Sequence, residues 1–512
     1  MRTALILSLL ATPAFAQTIP TFADETVKSG LSHSFTGEWE QIVGGGVATF
    51  DCNGDTKPEL LLSGGTAPAS LWLNTSTADA LTFTRVESGA ELAQVSGAYP
   101  MDVDSDGITD LALLRVGEDV LLRGLGDCKF ARANEDWGFS GGDAWSTAFS
   151  AMWEKGAALP TLAIGTYIDR TQEAFPWGNC TDNSLYRPAE AKYTAPYPLK
   201  PSFCALSMLF TDWNRSGTPS LRVSNDREYY KGGQEQMWHV SPGTDPTPYT
   251  DKDGWARLRI WGMGIASRDI NGDTYPDYFL TSMADNKLQS LANTDPAKGP
   301  LIPKFADIAF AKGVTAHRPY TGPELKPSTA WHAQFEDVNN DTLPDLFIAK
   351  GNVWDMPDFA MHDPNNLLLQ TAEGTFIEAG DKAGVASMDQ SRGAALADFN
   401  DDGALDLVVV NRNSPVQLWR NTTVAGNWAK INLAQPAPNQ HAVGAWVDLR
   451  IGDTVQRREI TVGGGHASGS LGPAHFGLGT ATAAEARVQW PDGSVTDWQP
   501  VTANQITVLT KP

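Results

Sequence analysis

The sequence predicts an all-β chain, a seven-bladed β-propeller followed by a small C-terminal β-sandwich or barrel domain. A nine-residue acidic motif recurs between short apolar runs, with starts at positions 51, 102, 153, 212, 269, 337 and 398. The chain carries Gly 48 and Pro 32 with few long apolar runs, the composition of many turns and short strands. Past position 425 the motif stops while apolar–polar alternation continues. A length of 512 residues exceeds one ordinary compact core, so a repeat array or several units are required. Seven β units of this period read as blades.

Charge narrows the function classes. Lys+Arg 38 against Asp+Glu 60 leaves a net charge of −22, which disfavours nucleic acid and anionic membranes because both repel an acidic surface. Hydrophobic residues at 41% with charged residues at 19% exclude disorder as the main state.

From the N-terminus, Arg2, the apolar run Ala4 to Leu10 and the small-x-small site Ala14-Phe15-Ala16 form a signal peptide over 1–16, cleaved after Ala16. That run is too short to cross a bilayer, and no other segment reaches the roughly 18 apolar residues a spanning helix needs. The mature chain from Gln17 is expected to be secreted or periplasmic, without a transmembrane segment. Cys52, Cys128, Cys180 and Cys204 suit an oxidising compartment and allow three pairings. Cys180 and Cys204 share one irregular segment, which favours Cys180–Cys204 and leaves Cys52–Cys128. The latter two fall in turns on the same side of neighbouring blades.

Residues 17–424 are expected to form the propeller. Five motif copies place oxygen-bearing side chains at positions 1, 3, 5 and 9, each after a short strand. They are Asp51, Asn53, Asp55 and Glu59; Asp102, Asp104, Asp106 and Asp110; Asp269, Asn271, Asp273 and Asp277; Asp337, Asn339, Asp341 and Asp345; and Asp398, Asn400, Asp402 and Asp406. The fourth unit keeps Asp212, Asn214 and Ser216 but has Ser220 at position 9. The third puts Trp153 and Lys155 where carboxylates belong.

A second repeated element, Phe22-Ala-Asp24 running to Gly30, matches Phe305-Ala-Asp307 running to Gly313; Phe130 to Gly138 and Phe376 to Gly384 share its spacing. It reads as the outer strand of a blade and the link to the next. One copy precedes the first blade and none follows Trp419. Residues 22–31 are therefore expected to pair with the last blade and close the ring, removing its exposed edges. Residues 168–206, rich in Pro and Tyr, read as an irregular insertion on one face. Residues 425–512 form the C-terminal β domain, with alternation in Ala445 to Leu449 and Ala486 to Trp490 and a turn at Pro491-Asp492-Gly493.

Oxygens at positions 1, 3 and 5 of a tight loop converge on one point, and a carboxylate at 9 closes the shell from the next strand. Hard oxygen donors without His or thiolate favour Ca²⁺ over zinc or copper. The five loops hold sixteen carboxylates at positions 1, 3, 5 and 9, and five bound Ca²⁺ would bring the formal charge from −22 to −12. About five structural calcium ions are thus expected.

These loops, with Gly44-Gly45-Gly46-Val47 and Gly393-Ala394-Ala395 just before two of them, resemble the FG-GAP/VCBS repeats of integrin α-subunit propellers. The tail segments Asn439-Gln440-His441-Ala442-Val443-Gly444-Ala445, Gly463-Gly464-Gly465-His466-Ala467-Ser468, His475-Phe476-Gly477-Leu478-Gly479 and Trp490-Pro491-Asp492-Gly493 resemble the ASPIC/UnbV domain. Together they make the chain similar to the cartilage acidic protein family, including its bacterial members. The resemblance implies an exported seven-bladed calcium-binding propeller of extracellular-matrix or adhesion type. It carries no ion over to the third unit. Asn439-Gln440 stands where Asn-Arg is more usual.

Other polar residues weigh less. Gly465-His-Ala-Ser468-Gly469 is not a Gly-x-Ser-x-Gly elbow and no helix follows. His466, Ser468 and His475 therefore read as a buried polar network in Gly-rich turns, and no catalytic residue is assigned. Arg222, Asn225, Asp226, Arg227, Tyr229, Tyr230, Gln234 and Glu235 read first as an anchor for the 168–206 segment and second as a polar ligand surface. His332 beside Trp331, and Trp354 with His362, stay open between the same readings. The functional expectation is a calcium-binding adhesion or scaffold protein for a protein or glycan ligand. The alternative is an envelope enzyme acting on a polysaccharide through the propeller channel.

Overall fold

Residues 18–512 are described by the computed structural model, apart from 173–177, 228–231, 316–325, 327–328, 355 and 425. The expected signal peptide and cleavage site fall outside the described residues, as do Tyr229 and Tyr230.

Seven antiparallel sheets follow one another along the chain, each with its first strand innermost. The inner strands are Val47–Phe50, Val95–Met101, Ala144–Met152, Ala205–Thr211, Gly262–Arg268, Ala330–Glu336 and Ser391–Ala397. Second strands such as Glu59–Leu62 and Asp406–Asn411 are buried along their whole length because a neighbouring blade covers each face. That is why they read as unbroken apolar runs rather than alternations. Seven apolar clusters lie between successive blades, one per junction. One of them packs Leu60, Leu62 and Trp72 of the first blade on Val408, Val410 and Leu418 of the last. The array is therefore a closed ring.

The expected closure is present. Phe22–Asp24 is the outer strand of the last blade, antiparallel to Gln417–Asn421 with Phe22 opposite Asn421 and Asp24 opposite Trp419. Both favoured disulfides are formed, Cys52–Cys128 between the first two blades and Cys180–Cys204 between the third and fourth.

One expectation is corrected. The 168–206 segment is not merely an irregular insertion: Asn183–Tyr186 and Tyr197–Leu199 are the two outer strands of the third blade. Its Pro and Tyr content is compatible with edge positions, where a missing N–H costs no ladder bond.

The C-terminal domain is a two-sheet sandwich. Ala474–Gly479, Asn427–Ala434 and Ile506–Thr510 form one sheet; Thr454–Glu459, Trp446–Ile451, Ala483–Gln489 and Gln499–Thr502 form the other. Ile431, Val447, Phe476, Val488 and Trp490 fill the space between them.

Between its strands this domain sends residues 462–471 into the central channel. Gly463 pairs with Ser150 and Leu209, Gly465 bridges Ile265, Ser468 bridges Ala98, and Gly469–Leu471 runs parallel to Val47–Phe50. His332 accepts the His466 N–H at 3.1 Å, and a Cβ on Gly393 would meet Ser468 Oγ at 2.4 Å. The segment thus touches the inner strand of every blade. His466 and His332 are held neutral by burial, with values pushed down to about 3 and about 4. The network reading of this Gly-rich turn is what the structure shows.

Candidate metal centres

All seven acidic-motif hairpins join the first and second strands of their blades, so they crowd one face of the ring. Six share one backbone path, left-handed at positions 4 and 6. Position 4 is Gly54, Ser105, Arg215, Gly272, Asn340 or Asp401, and position 6 is Thr56, Gly107, Gly217, Thr274, Thr342 or Gly403. Thr56, Thr274 and Thr342 hold φ of 77°, 93° and 84°. For a β-branched residue this costs on the order of 1–3 kcal/mol and persists only where surrounding bonds impose it.

Those bonds come from the motif itself. The position-1 carboxylate accepts the position-6 N–H, as Asp51 Oδ2 does from Thr56 at 2.8 Å, Asp102 from Gly107 at 3.0 Å and Asp337 from Thr342 at 2.7 Å. Asp269 from Thr274 and Asp398 from Gly403 repeat the bond at 3.1 and 2.8 Å. The position-9 carboxylate reaches back to the position-2 N–H: Glu59 to Cys52, Asp110 to Val103, Asp277 to Ile270, Asp345 to Val338 and Asp406 to Phe399.

The loop centres therefore collect carboxylates. Ligand oxygens of Asp102, Asp104 and Asp106 all lie within 4.8 Å of one another. In the other four loops the position-3 amide sits among the acids, donating from Asn53 to Asp55, Asn271 to Asp273, Asn339 to Asp341 and Asn400 to Asp402. Burial, aided by the neighbouring carboxylates and opposed by backbone N–H donors, pushes Asp110 up to about 8, Asp102 to about 6, and Glu59 and Asp277 to about 7. Asp345 and Asp406 are pushed up for the same reason. Asp104 Oδ1 and Asn400 Oδ1 are buried without a hydrogen-bond partner among the described residues. All-oxygen donor sets with orphaned oxygens and crowded carboxyls fit a hard divalent cation.

The weaker hairpins differ as their sequences suggest. In the fourth, Asp212 caps Ser216 and Gly217, but Ser220 bonds the Tyr249 hydroxyl instead of closing the loop. In the third, Glu154 holds Arg187 at 2.6 Å and Thr161 at 2.9 Å, an internal ion pair in place of a carboxylate cluster.

The C-terminal domain sits on this same face, and position 4 receives it. Because the odd positions turn inward, the left-handed position-4 residue turns outward. Ser105 bonds Asn439 and Gln440; Arg215 bonds Gln489 and pairs with Asp448; Asn340 bonds His475 Nε2 at 2.7 Å; and Asp401 pairs with Lys430 at 3.2 Å. Three cations of the domain also reach acids at the loops, Arg457 to Asp269, Lys430 to Asp398 and Arg458 to Glu336. Sequence reasoning gave Ser105, Arg215, Asn340 and Asp401 no role in contacts with the C-terminal domain. Their left-handed position between two ligand positions was the available signal.

Arg222, Asn225 and Asp226 are buried. The Asp226 N–H donates to Cys204 O and the Arg227 N–H to Phe203 O, both at 3.1 Å, so these two residues tie the fourth blade to the 168–206 segment, whereas Arg222 donates to Gln289 of the fifth blade. That is the anchoring arrangement.

A model of the ASPIC and UnbV family matches residues 435–512, and a model of the FG-GAP-like repeat matches residues 337–409, which span the sixth and seventh hairpins. The chain combines FG-GAP-like repeat with an ASPIC/UnbV domain. Cartilage acidic protein 1 of Homo sapiens is 27% identical over 181 residues, covering 34% of this chain and 24% of that protein. The Xenopus tropicalis protein of that name is 34% identical over 201 residues, covering 37% and 28%. The matched region thus spans about a quarter of the length of these relatives. Among solved structures, BBS1N in complex with ARL6DN aligns at TM-score 0.45 and 10% identity over 80% of this chain and 99% of that one. Saccharomyces cerevisiae Sqt1 aligns at TM-score 0.37 and 13% identity over 74% and 100%. In the ASPIC/UnbV domain the Gly463 to Ser468 motif is the channel segment, and His475 is its contact with the sixth FG-GAP-like hairpin.

Proposed function

We propose that this protein is an exported, calcium-stabilised scaffold in which ions in five hairpins hold the platform for the ASPIC/UnbV domain. The observation that carries this reading is the burial of the position-9 acid in all five hairpins, with three carboxylates within 4.8 Å of one another in the second and an orphaned oxygen at Asp104 and at Asn400. Asp51, Asn53, Asp55 and Glu59 and their counterparts would hold the ions, which supply charge neutralisation and fix the strained turns. Two disulfides, and the lack of any described helix long and apolar enough to cross a membrane, support a secreted or periplasmic location. The filled channel weighs against an enzyme working through it. A protein or glycan ligand is offered the opposite face, where half-buried Trp39 and Trp354 lie with ring centroids 5.8 Å apart.

Chelation tests the reading. A site held at a hundredfold excess over its Kd contributes about 2.7 kcal/mol, so stripping five sites lowers Tm by about 10 °C or more. Added calcium restores the original Tm. An identical melting curve in EGTA and in millimolar calcium refutes the proposal.

A further inference from the structure

On the face opposite the hairpins, the segment leading into the first blade, the starts of the first and second blades and the end of the last one's second strand surround a pocket of about 600 Å³. That is within the size range of small-ligand sites, about 300–1,000 Å³. Its described walls carry one aromatic ring, Trp39, and no aliphatic side chain; acids, amides, hydroxyls and Arg412 make up the rest.

The walls are fixed before any ligand arrives. Trp39 meets Trp145 edge-on at 5.7 Å and Trp354 at a 30° tilt, 5.8 Å away. Gln41 donates through Nε2 to Gln94 Oε1 at 2.6 Å, which joins the first blade to the second. Arg412 donates through its terminal nitrogens to Gly37 O at 2.9 Å and Val353 O at 3.3 Å. Two polar atoms of these side chains have no hydrogen-bond partner: Gln41 Oε1, on a residue 1% exposed, and Arg412 Nε. One is an acceptor and the other a donor, so a ligand that meets both must carry groups able to give and to take hydrogen bonds.

The charges are already answered. Glu38 lies close enough to Arg412 to favour its cation, and Arg170 holds Glu40 at 3.0 Å. A charged ligand would leave one of these groups uncompensated, whereas hydroxyl groups would not. A peptide also carries donors and acceptors, but it docks by extending a free strand edge or by filling an apolar hole. The backbone at the pocket is spent on Thr36 N to Gly64 O, Gly65 N to Val95 O and Thr66 N to Thr36 O.

We propose that this pocket binds a neutral glycan, with a sugar ring against Trp39 and its hydroxyls on Gln41 and Arg412. The proposal rests on the reading of this face as the ligand-bearing one and chooses glycan over protein. The indole supplies an apolar surface for the C–H side of the ring, and the locked amide and guanidinium supply direction at little entropic cost.

The test exposes the full chain to a printed array of neutral, sialylated and uronate-bearing oligosaccharides, in calcium and in EGTA. Wild type is expected to bind neutral members. Trp39→Ala is expected to bind them about tenfold or more weakly. Because Trp39 also packs on two tryptophans, Thr66→Trp is the second variant: Thr66 is exposed at the pocket, so the bulk blocks the site while Tm stays at the parent value. Binding that survives in both W39A and T66W overturns the pocket. Binding confined to acidic oligosaccharides, or to members of a displayed peptide library instead, overturns the neutral-glycan assignment. Silence on the array from a chain whose Tm still rises with calcium overturns this inference and leaves the calcium scaffold standing. Neutral glycan bound by a chain indifferent to calcium does the reverse.

Discussion

Removing residues 18–31 is expected to abolish the cooperative thermal transition of the chain. This short segment contributes the outer strand of the last blade and buries Phe22 and Leu31 at its two ends. Each such side chain is worth about 2 kcal/mol, and ladder bonds such as Glu25 N to Leu418 O at 2.9 Å add about 1 kcal/mol each. Glu25 also holds Arg420 at 2.9 Å and accepts the Leu81 N–H at 2.7 Å, so it fastens the last blade to the first. Their sum approaches the net stability of a whole domain, about 5–15 kcal/mol. The deletion also leaves Gln417–Asn421 as an open edge prone to aggregation. A synthetic peptide of residues 18–31 added in trans restores the transition if strand pairing is the cause. A deletion variant melting within about 2 °C of the parent would show that the ring is not closed this way.

Gly46→Ala is expected to unseat the ASPIC/UnbV segment from the channel. A Cβ on Gly46 would lie 1.7 Å from the Ala467 carbonyl oxygen, and that oxygen is also 2.7 Å from a Cβ on Gly97. Two inner strands therefore depend on glycine so that the tail can pass. Gly46 has an ordinary backbone conformation, so the effect of the added methyl is steric alone. Overpacking of this kind costs about 1–3 kcal/mol when the surroundings can yield, and more when, as here, backbone meets backbone. The expected result is a lower Tm together with faster proteolysis between residues 421 and 427. Gly472→Ala, with nothing within 4 Å of its Cβ, serves as the control and leaves both unchanged. Equal behaviour of G46A and G472A would mean that the channel segment contributes nothing to stability.

The parts of the molecule that were legible in the sequence are those whose chemistry is local. An acidic hairpin is written within nine residues, so its five full copies are found as turns between the first and second strands of their blades, and the third and fourth units differ from them in the structure as in the sequence. Ring closure was legible for a related reason: the Phe22 element lacked a preceding blade and Trp419 lacked a following strand. The outer strands of the third blade were hidden because Asn183–Tyr186 and Tyr197–Leu199 sit among Pro and Tyr residues without apolar alternation. The channel segment was hidden because Val462 to Leu471 draws its partners from strands hundreds of residues away. No local period can encode Gly465 against Ile265 or Ser468 against Ala98.

Docking of the tail onto the acidic face was illegible for an electrostatic reason. Net charge sums over the whole chain, whereas the relevant quantity is that Lys430, Arg457 and Arg458 meet Asp398, Asp269 and Glu336 at one interface. Those three cations offset part of the acidity of the loops from outside. The loop interiors keep their excess, and that residual acidity is where the cation reading rests.

Calcium bound per chain at equilibrium dialysis, measured on the wild type and on Asp106→Ala/Asp110→Ala, tests that reading most directly. The account predicts about five ions per wild-type chain and one fewer in the variant, because the loops are separate centres. Negligible calcium at millimolar free concentration, or an unchanged count in the variant, would contradict it.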